Sequence, residues 1–216
     1  ELKPGPNKKL RLFVCGPTVY DLSHVGHART YIVFDAMVRY WRSLEFDVFY
    51  LQNITDIDDK IIQRAAEQGQ DPLTLADTFA EHYFEDMESL GITSVSKYAK
   101  ATDYIEEIIS QVQRLEKKGY AYVIEDGVYY DTTKFKGYGK LSGRTIQGAE
   151  DAISRIDESV QKKHKGDFAL WKRAPRSPIG DFAGFEPSWP SPWGPGRPGW
   201  HIEDTAITEK EFGEQY

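Results

Sequence analysis

The feature that most constrains this fold is a strand, a tight turn, a helix and a second strand in direct succession near the start of the chain. The run Arg11–Cys15 is rich in apolar residues, and Gly16-Pro17 ends this predicted strand. Apolar residues recur at helical spacing from Gly26 to about Leu44, and a second strand is predicted over Phe46–Asn53. This βαβ succession predicts an α/β protein with a parallel sheet, whose ligands bind at the carboxyl ends of the strands.

The rest of the chain predicts mixed structure. Helices are predicted at about Asp56–Gly69, Asp71–Leu90 and Thr102–Lys118, a hairpin over Tyr120–Asp131 with its turn at Asp126-Gly127, and an extended segment over Asp167–Lys172. Two segments lack periodicity. Thr132–Lys165 is polar and irregular, and Phe185–Trp200 is so rich in proline, glycine and tryptophan that we predict an ordered loop or a linker there.

Composition excludes several classes of protein. Cys15 is the only cysteine among 216 residues, so no intrachain disulfide can form and we expect a reducing, cytoplasmic location. No apolar run approaches the roughly 20 residues of a membrane-spanning helix, so we expect no membrane association. The net charge of −7 lacks the basic excess typical of nucleic-acid-binding proteins. Gln161–Lys165 is a local basic patch that fits either a phosphate contact or a solvated loop.

Two histidines stand three residues apart where the first helix is predicted to begin. His24 and His27 would face the same direction there, beside N–H groups and a positive dipole end that favour phosphate. Imidazoles add donors for charge that develops on a phosphoryl oxygen, and Gly26 leaves room for a nucleotide to approach. By itself, such a pair is explained equally well by helix capping and packing.

Longer motifs around this pair resemble a known family. His24-Val25-Gly26-His27 resembles the HIGH signature of class I aminoacyl-tRNA synthetases, in which the histidines contact ATP phosphates. The cysteinyl-tRNA synthetase family is similar in further motifs, which occur in the same order: Cys15–Asp21, Ala28–Thr30, Gln52–Ile62, Asp167–Lys172 and Pro198–Glu203. The resemblance therefore covers nearly the whole chain.

The resemblance implies a Rossmann-like parallel sheet with a HIGH-type nucleotide site, plus a connective α+β insertion. Residues 1–101 would form the first half of the catalytic domain, 102–196 the insertion facing the tRNA acceptor stem, and 197–216 the return into the catalytic domain. The second half, the KMSKS loop and the anticodon-binding domain would follow Tyr216. We therefore expect the chain alone to be inactive or nearly so, because a site without its other wall is not preorganised.

The resemblance also assigns roles to individual residues. His24 and His27 would be catalytic, and the ATP site would include both histidines together with Pro17, Thr18, Tyr20 and Gly26. The cysteine substrate would be bound by Cys15, Gly16, Thr55 and Trp200. The alternative for Cys15 is a small buried apolar residue at a strand end, but its position where a parallel sheet presents ligands favours the ligand role. Trp200 could equally pack the proline-rich loop, and we favour the substrate contact. Acidic residues at 56–59 resemble a metal cluster, but we interpret them as a helix cap.

Zinc is the expected metal. In the family a thiolate matching Cys15 ligates Zn²⁺, which can bind the substrate thiolate and so reject serine. Where family members carry a second cysteine ligand after Trp-His-Ile-Glu, this chain has Asp204. Asp204 would replace that sulfur or instead contact water or the substrate amine. The remaining ligands, a His and a Glu, would follow Tyr216.

The implied activity is that of a cysteine–tRNA ligase. ATP, bound with Mg²⁺, would activate L-cysteine to cysteinyl-adenylate, which is transferred to tRNA(Cys), and we expect a monomer. Three alternatives stay open: a mycothiol-pathway type of ligase that passes cysteine to a small amine, a non-catalytic truncated synthetase module, and a generic nucleotide-binding α/β domain.

Overall fold

A computed structural model of the chain describes residues 6–141, 143, 161–174 and 186–213. The chain divides into two compact units, one of residues 1–103 with 207–216 and the other of residues 104–206. No helix among the described residues is long and apolar enough to cross a membrane.

The first unit contains a three-stranded parallel sheet in the order β1-β2-β3. Its elements are β1 (Lys9–Val14), α1 (Val25–Ser43), β2 (Asp47–Ile54), α2 (Asp59–Gln68), α3 (Pro72–Ser89) and β3 (Lys97–Lys100). Helix α1 connects β1 to β2, and α2 with α3 connects β2 to β3. The predicted α/β class and parallel sheet are thus confirmed, and predicted bounds of the first helix and second strand hold to within one residue.

Apolar residues from all three helices and from β1 and β2 form one core in this unit. Val38 of α1, Tyr50 of β2 and Leu75 of α3 are fully buried members of it. Asp35 of α1 is also buried and accepts the backbone N–H groups of Thr93 and Ser94 at 3.0 and 2.8 Å. Buried apolar area and hydrogen-bonded buried polar groups therefore hold the helices against the sheet. The carboxyl ends of the strands lie together at one edge of this sheet.

The second unit contains a four-stranded antiparallel sheet in the order β4-β5-β6-β7. Its elements are α4 (Ile105–Lys117), β4 (Ala121–Ile124), β5 (Gly127–Tyr130), β6 (Phe168–Arg173), β7 (Gly196–Pro198) and the first part of α5 (Trp200–Phe212). Trp171 of β6 is fully buried. Asp167 is buried before β6 and accepts hydrogen bonds from the backbone and hydroxyl of Thr132, both at 2.9 Å, which ties the start of β6 to the chain after β5.

Four predictions of local structure need correction. The hairpin turn falls at Glu125-Asp126, one residue earlier than predicted, because Gly127 already pairs with Ile124. Strand β3 was not predicted, and part of the proline-rich segment forms β7, which pairs with β6. The predicted second helix begins at Asp59 rather than at Asp56. About half of the segment predicted to be irregular, residues 142 and 144–160, lies outside the described residues.

Candidate active site

The chain leaves β1 through a turn that leaves no space for a side chain at position 16. Cys15 lies one residue beyond β1 and is exposed, at the carboxyl edge of the parallel sheet. The Gly16 N–H donates to Asn53 Oδ1 at 2.6 Å. A Cβ at Gly16 would lie 1.7 Å from the backbone oxygen of Asn53, so only glycine lets the turn approach β2 this closely.

Beyond this turn the chain continues beside β2 and brings two predicted site residues together. Thr18 and Thr55 form an isolated parallel bridge, in which Val19 N–H donates to Thr55 O at 3.1 Å and Thr55 N–H donates to Pro17 O at 3.0 Å. Thr55 is fully buried. Cys15, Gly16, Pro17, Thr18 and Thr55 therefore share one edge of the sheet, at the ends of β1 and β2.

The imidazole rings of both histidines accept backbone N–H groups at the start of α1. His24 is the N-cap residue, and its Nδ1 accepts the Gly26 N–H at 3.0 Å. His27 Nδ1 accepts the His24 N–H at 3.1 Å, and the two rings stack with centroids 4.0 Å apart. This arrangement is a capping box built from two imidazoles. Because both Nδ1 atoms accept, each neutral ring carries its proton on Nε2, which makes Nε2–H the donor left for a ligand.

Glycine at position 26 is required by this histidine box. A Cβ there would lie 2.7 Å from Cε1 of His24 and 2.9 Å from its Nδ1. The His24 ring therefore occupies the space that a side chain at 26 would need. The sequence interpretation gave this space to a nucleotide, and the structure fills it with the capping imidazole.

Neighbouring charges hold the segment between the turn and the histidines. Lys60 Nζ lies 5.4 Å from the centroid of the Tyr20 ring, a cation–π contact. Arg64 and Asp21 form an ion pair at 2.9 Å. Both basic residues belong to α2, so the loop that carries Tyr20 is fixed to the helix that follows β2.

We expect the histidine box to weaken in acid. Burial, and secondly the neighbouring His24, lowers the pKa of His27 below its ordinary value of 6.5. As the pH falls through 6.5 toward the lower pKa of the folded chain, the unfolded chain binds more protons than the folded chain. The unfolding free energy contributed by the neutral His27 ring is lost over this pH range. Thermal unfolding should show a larger loss of melting temperature between about pH 7.5 and about pH 5.5 for the wild type than for His27→Gln. The glutamine keeps an acceptor at this position without titrating. Equal losses in the two proteins would contradict this role of His27.

The acidic residues at the start of α2 divide into two roles. Asp58 is the N-cap of α2 and accepts the Lys60 N–H at 3.0 Å, as the cap interpretation predicts. Asp56 does not cap α2. It is buried and accepts the backbone N–H and the hydroxyl of Thr102, at 3.0 and 2.5 Å. Burial raises the pKa of Asp56 above its ordinary value.

Two of the predicted site residues lie in the second unit, at the start of α5. Trp200 is the first residue of α5 and 52% exposed, and its ring centroid lies 5.1 Å from that of His201. The Gly199 N–H donates to Leu170 O at 2.9 Å, which fixes the entry to this helix on β6. Asp204 is partly buried one turn later. Within the part of the chain that the structure describes, no three His, Cys, Asp or Glu side chains are grouped so that they could hold a metal ion.

Comparison with known proteins decides the family. The profile described as tRNA synthetases class I (C) catalytic domain matches residues 1–216. The chain belongs to this family. The cysteine–tRNA ligase of Thermoplasma acidophilum is 51% identical over 216 residues, which are 100% of this chain and 46% of that relative. The cysteine–tRNA ligase of Pyrococcus horikoshii is 47% identical over all of this chain and 44% of its own length.

A solved structure supports the fold of this class I family member. The LeuRS of Agrobacterium radiobacter K84, solved as a ternary complex with tRNA and LeuAMS, has a TM-score of 0.50 and 19% identity. The match covers 68% of this chain and 22% of that structure. The expected class I, Rossmann-like α/β fold is thereby confirmed, and the chain spans less than half the length of the curated relatives given above.

Sequence reasoning missed Asn53 as a residue of this edge. Asn53 is fully buried, and its side chain holds the turn after Cys15. Its signal in the sequence is a polar amide at the end of an apolar strand, Asp47–Ile54, where a buried polar group needs a partner. The partner belongs to a distant part of the chain, so the sequence alone does not identify it.

Proposed function

We propose that the protein to which this chain belongs is a cysteine–tRNA ligase. The observation that carries the proposal is the segment between β1 and α1. It leaves the sheet with the exposed thiol of Cys15 and enters the helix through the two imidazoles of the histidine box. The 51% identity with a cysteine–tRNA ligase over the whole chain supports the same activity.

The proposed reaction has two steps, and neither needs a protein nucleophile. A carboxylate oxygen of L-cysteine attacks the α-phosphorus of ATP, the bond to the β-phosphate oxygen breaks, and pyrophosphate leaves with the bonding electrons. A terminal adenosine hydroxyl of tRNA(Cys) then attacks the carbonyl carbon of cysteinyl-adenylate, and AMP leaves. Mg²⁺ enters with ATP. Catalysis of this kind depends on positioning and on donors aimed at the charge that develops on phosphoryl oxygens.

The chain's own residues supply specific parts of this catalysis. His24 and His27 present Nε2–H donors, fixed by the hydrogen bonds at their Nδ1 atoms, to the phosphate oxygens. Pro17, Thr18, Tyr20 and Gly26 complete the proposed ATP-binding segment. Cys15, Gly16 and Thr55 form the proposed cysteine-binding edge of the first unit, and Trp200 is the proposed contribution of the second. The lowered pKa of His27, caused first by burial, keeps this ring neutral and its tautomer defined near neutral pH.

Zinc remains a proposal for the whole protein. A thiolate and a carboxylate are both zinc donors, so Cys15 and Asp204 are the proposed ligands from this chain. They belong to different units, and the described residues do not provide a complete tetrahedral set. Unchanged zinc content and unchanged cysteine affinity in an Asp204→Ala variant of the intact protein would remove Asp204 as a ligand.

We further propose a functional division of the chain whose bounds come from the family resemblance. Residues 1–101 with 197–216 would belong to the nucleotide-binding catalytic domain, and 102–196 would be the insertion that faces the tRNA acceptor stem. The Gln161–Lys165 patch offers positive charge for such a contact, although Lys163 already lies over the Tyr122 ring at 4.3 Å. The protein would act as a monomer in the cytoplasm, where tRNA and ATP are available.

The experiment that tests the proposal is exchange of labelled pyrophosphate into ATP by the intact protein. We expect exchange that depends on cysteine and is at least about a hundredfold slower with serine. The reason is that a site built to recognise the sulfur of cysteine strongly rejects a substrate with oxygen in its place. Absence of exchange with cysteine would favour a non-catalytic module. Exchange with cysteine that is followed by transfer to a small amine, and not to tRNA, would favour the amine ligase.

A further inference from the structure

The peptide unit that joins Cys15 to Gly16 is held by a side chain at each of its polar atoms. The Gly16 N–H donates to Asn53 Oδ1 at 2.6 Å, and the Tyr31 hydroxyl donates to the Cys15 carbonyl at 3.3 Å. In a trans peptide these two groups point in opposite directions. Tyr31 and Asn53 therefore hold the same planar unit from its two sides, an arrangement that we call the peptide clamp.

The peptide clamp holds a part of the chain that lies beyond the hydrogen-bonded sheet. The last residue pair between β1 and β2 is Val14 with Gln52, so Cys15 lies beyond the ladder. Rotation of the Cys15–Gly16 peptide plane changes the backbone angle ψ of Cys15. This angle sets the direction of the Cys15 side chain relative to the turn. The Cys15 thiol lies 3.7 Å from the Gly16 carbonyl oxygen, a weak donor contact whose geometry depends on that same turn.

Tyr31 is itself fixed inside a tyrosine cluster, which consists of Tyr31, Tyr50, Tyr83 and Tyr98. Tyr31 is 4% exposed, and its ring meets Tyr83 edge to face with centroids 5.6 Å apart. Tyr83 in turn donates to Gln52 Oε1 at 3.0 Å. The phenolic O–H of Tyr31 is a hydrogen-bond donor, so it can hold the Cys15 carbonyl oxygen from inside this cluster.

We propose that Tyr31 is a positioning residue: with Asn53 it sets the direction in which the Cys15 thiol meets the amino-acid substrate. The inference rests on the proposed function, which places Cys15 at the cysteine-binding edge. Tyr31 does not touch the reacting atoms, and it acts through the Cys15 carbonyl. Loss of its hydroxyl should therefore weaken recognition of cysteine and leave recognition of ATP in place.

The matched control is another hydroxyl of the same cluster. Tyr50 is fully buried, and its hydroxyl has no hydrogen-bond partner among the described residues. Tyr50→Phe and Tyr31→Phe both delete one buried oxygen and keep the ring, so both should fold. Only Tyr31→Phe removes a contact to the Cys15 carbonyl.

The test combines a kinetic and a chemical readout on the intact protein. In pyrophosphate exchange, Tyr31→Phe should raise KM for cysteine roughly fivefold and change KM for ATP less than about twofold, as expected for one neutral hydrogen bond. In parallel, zinc is removed with a chelator and iodoacetamide alkylation of Cys15 is followed by mass spectrometry of the tryptic peptide 12–29. In Tyr31→Phe the rate of Cys15 alkylation should rise roughly fivefold, because the thiol is no longer held toward Gly16. Tyr50→Phe should match the wild type in both measurements.

Two results would overturn the clamp. One is a Tyr31→Phe variant whose cysteine KM and alkylation rate both equal those of the wild type. The other is a Tyr50→Phe variant that shifts both quantities as much as Tyr31→Phe does, which would mean general loosening of the cluster. A third result separates the clamp from the proposed function. If neither the wild type nor any variant shows cysteine-dependent exchange, but Tyr31→Phe alone is alkylated faster, the clamp is supported and the proposed function is wrong.

Discussion

Replacing Gly16 by alanine is expected to cost more than about 3 kcal/mol of unfolding free energy and to prevent stable folding of the first unit. The added Cβ would lie 1.7 Å from the Asn53 carbonyl oxygen and 2.9 Å from its carbonyl carbon. Both are backbone atoms at the end of β2, so no side-chain rotation relieves the overlap. Chemical denaturation followed by circular dichroism measures the change.

Gly91→Ala is the control for this prediction. Gly91 has a positive φ of 68°, and a Cβ there would meet nothing within 4 Å. Its substitution should cost only about 1 kcal/mol, from backbone conformation alone. If Gly16→Ala were as mild as Gly91→Ala, the close approach of the turn to β2 would be wrong.

Replacing His24 by alanine is expected to slow cysteine-dependent pyrophosphate exchange by about 10²- to 10³-fold, the usual effect of losing one preorganised donor to developing charge. The same change removes the N-cap of α1, because His24 Nδ1 accepts the Gly26 N–H. We therefore also expect a loss of about 1 kcal/mol in unfolding free energy.

His24→Asn separates these two effects. Asparagine is a good N-cap residue, so its side-chain oxygen should restore the stability that alanine loses. It has no group at the position of the imidazole Nε2–H, and exchange should stay slow. An asparagine variant with nearly wild-type exchange would show that His24 serves only as a cap.

Local patterns explain why the main elements of the first unit were predictable. Helix α1 has long apolar periodicity, and β2 is an apolar run of the length typical of strands. Strand β3 has no such signal, because Lys97–Lys100 contains two lysines in four residues and forms by pairing with Leu51–Ile54. Likewise β7 contains a proline and exists because β6 offers an edge to pair with.

The candidate site was predictable as a set of residue types, and its internal contacts were not. Motif order gave Cys15, His24 and His27 together with proposed roles. The His24 ring accepts the Gly26 N–H, and the His27 ring accepts the His24 N–H. These bonds depend on the ring rotamers at the helix start, which the sequence motif does not specify. The partners of the Cys15–Gly16 peptide unit are separated from it by 16 and 37 residues in sequence, so only the folded chain identifies them.

The bond between Asp56 and Thr102 bears on how the protein can be dissected. Thr102 supplies two donors to an acid that is almost completely removed from water, and it lies just before the boundary between the units at 103/104. A fragment that ended before Thr102 would leave this carboxyl buried without those donors. Expression of the parallel-sheet half by itself should therefore succeed only with fragments that extend past this threonine.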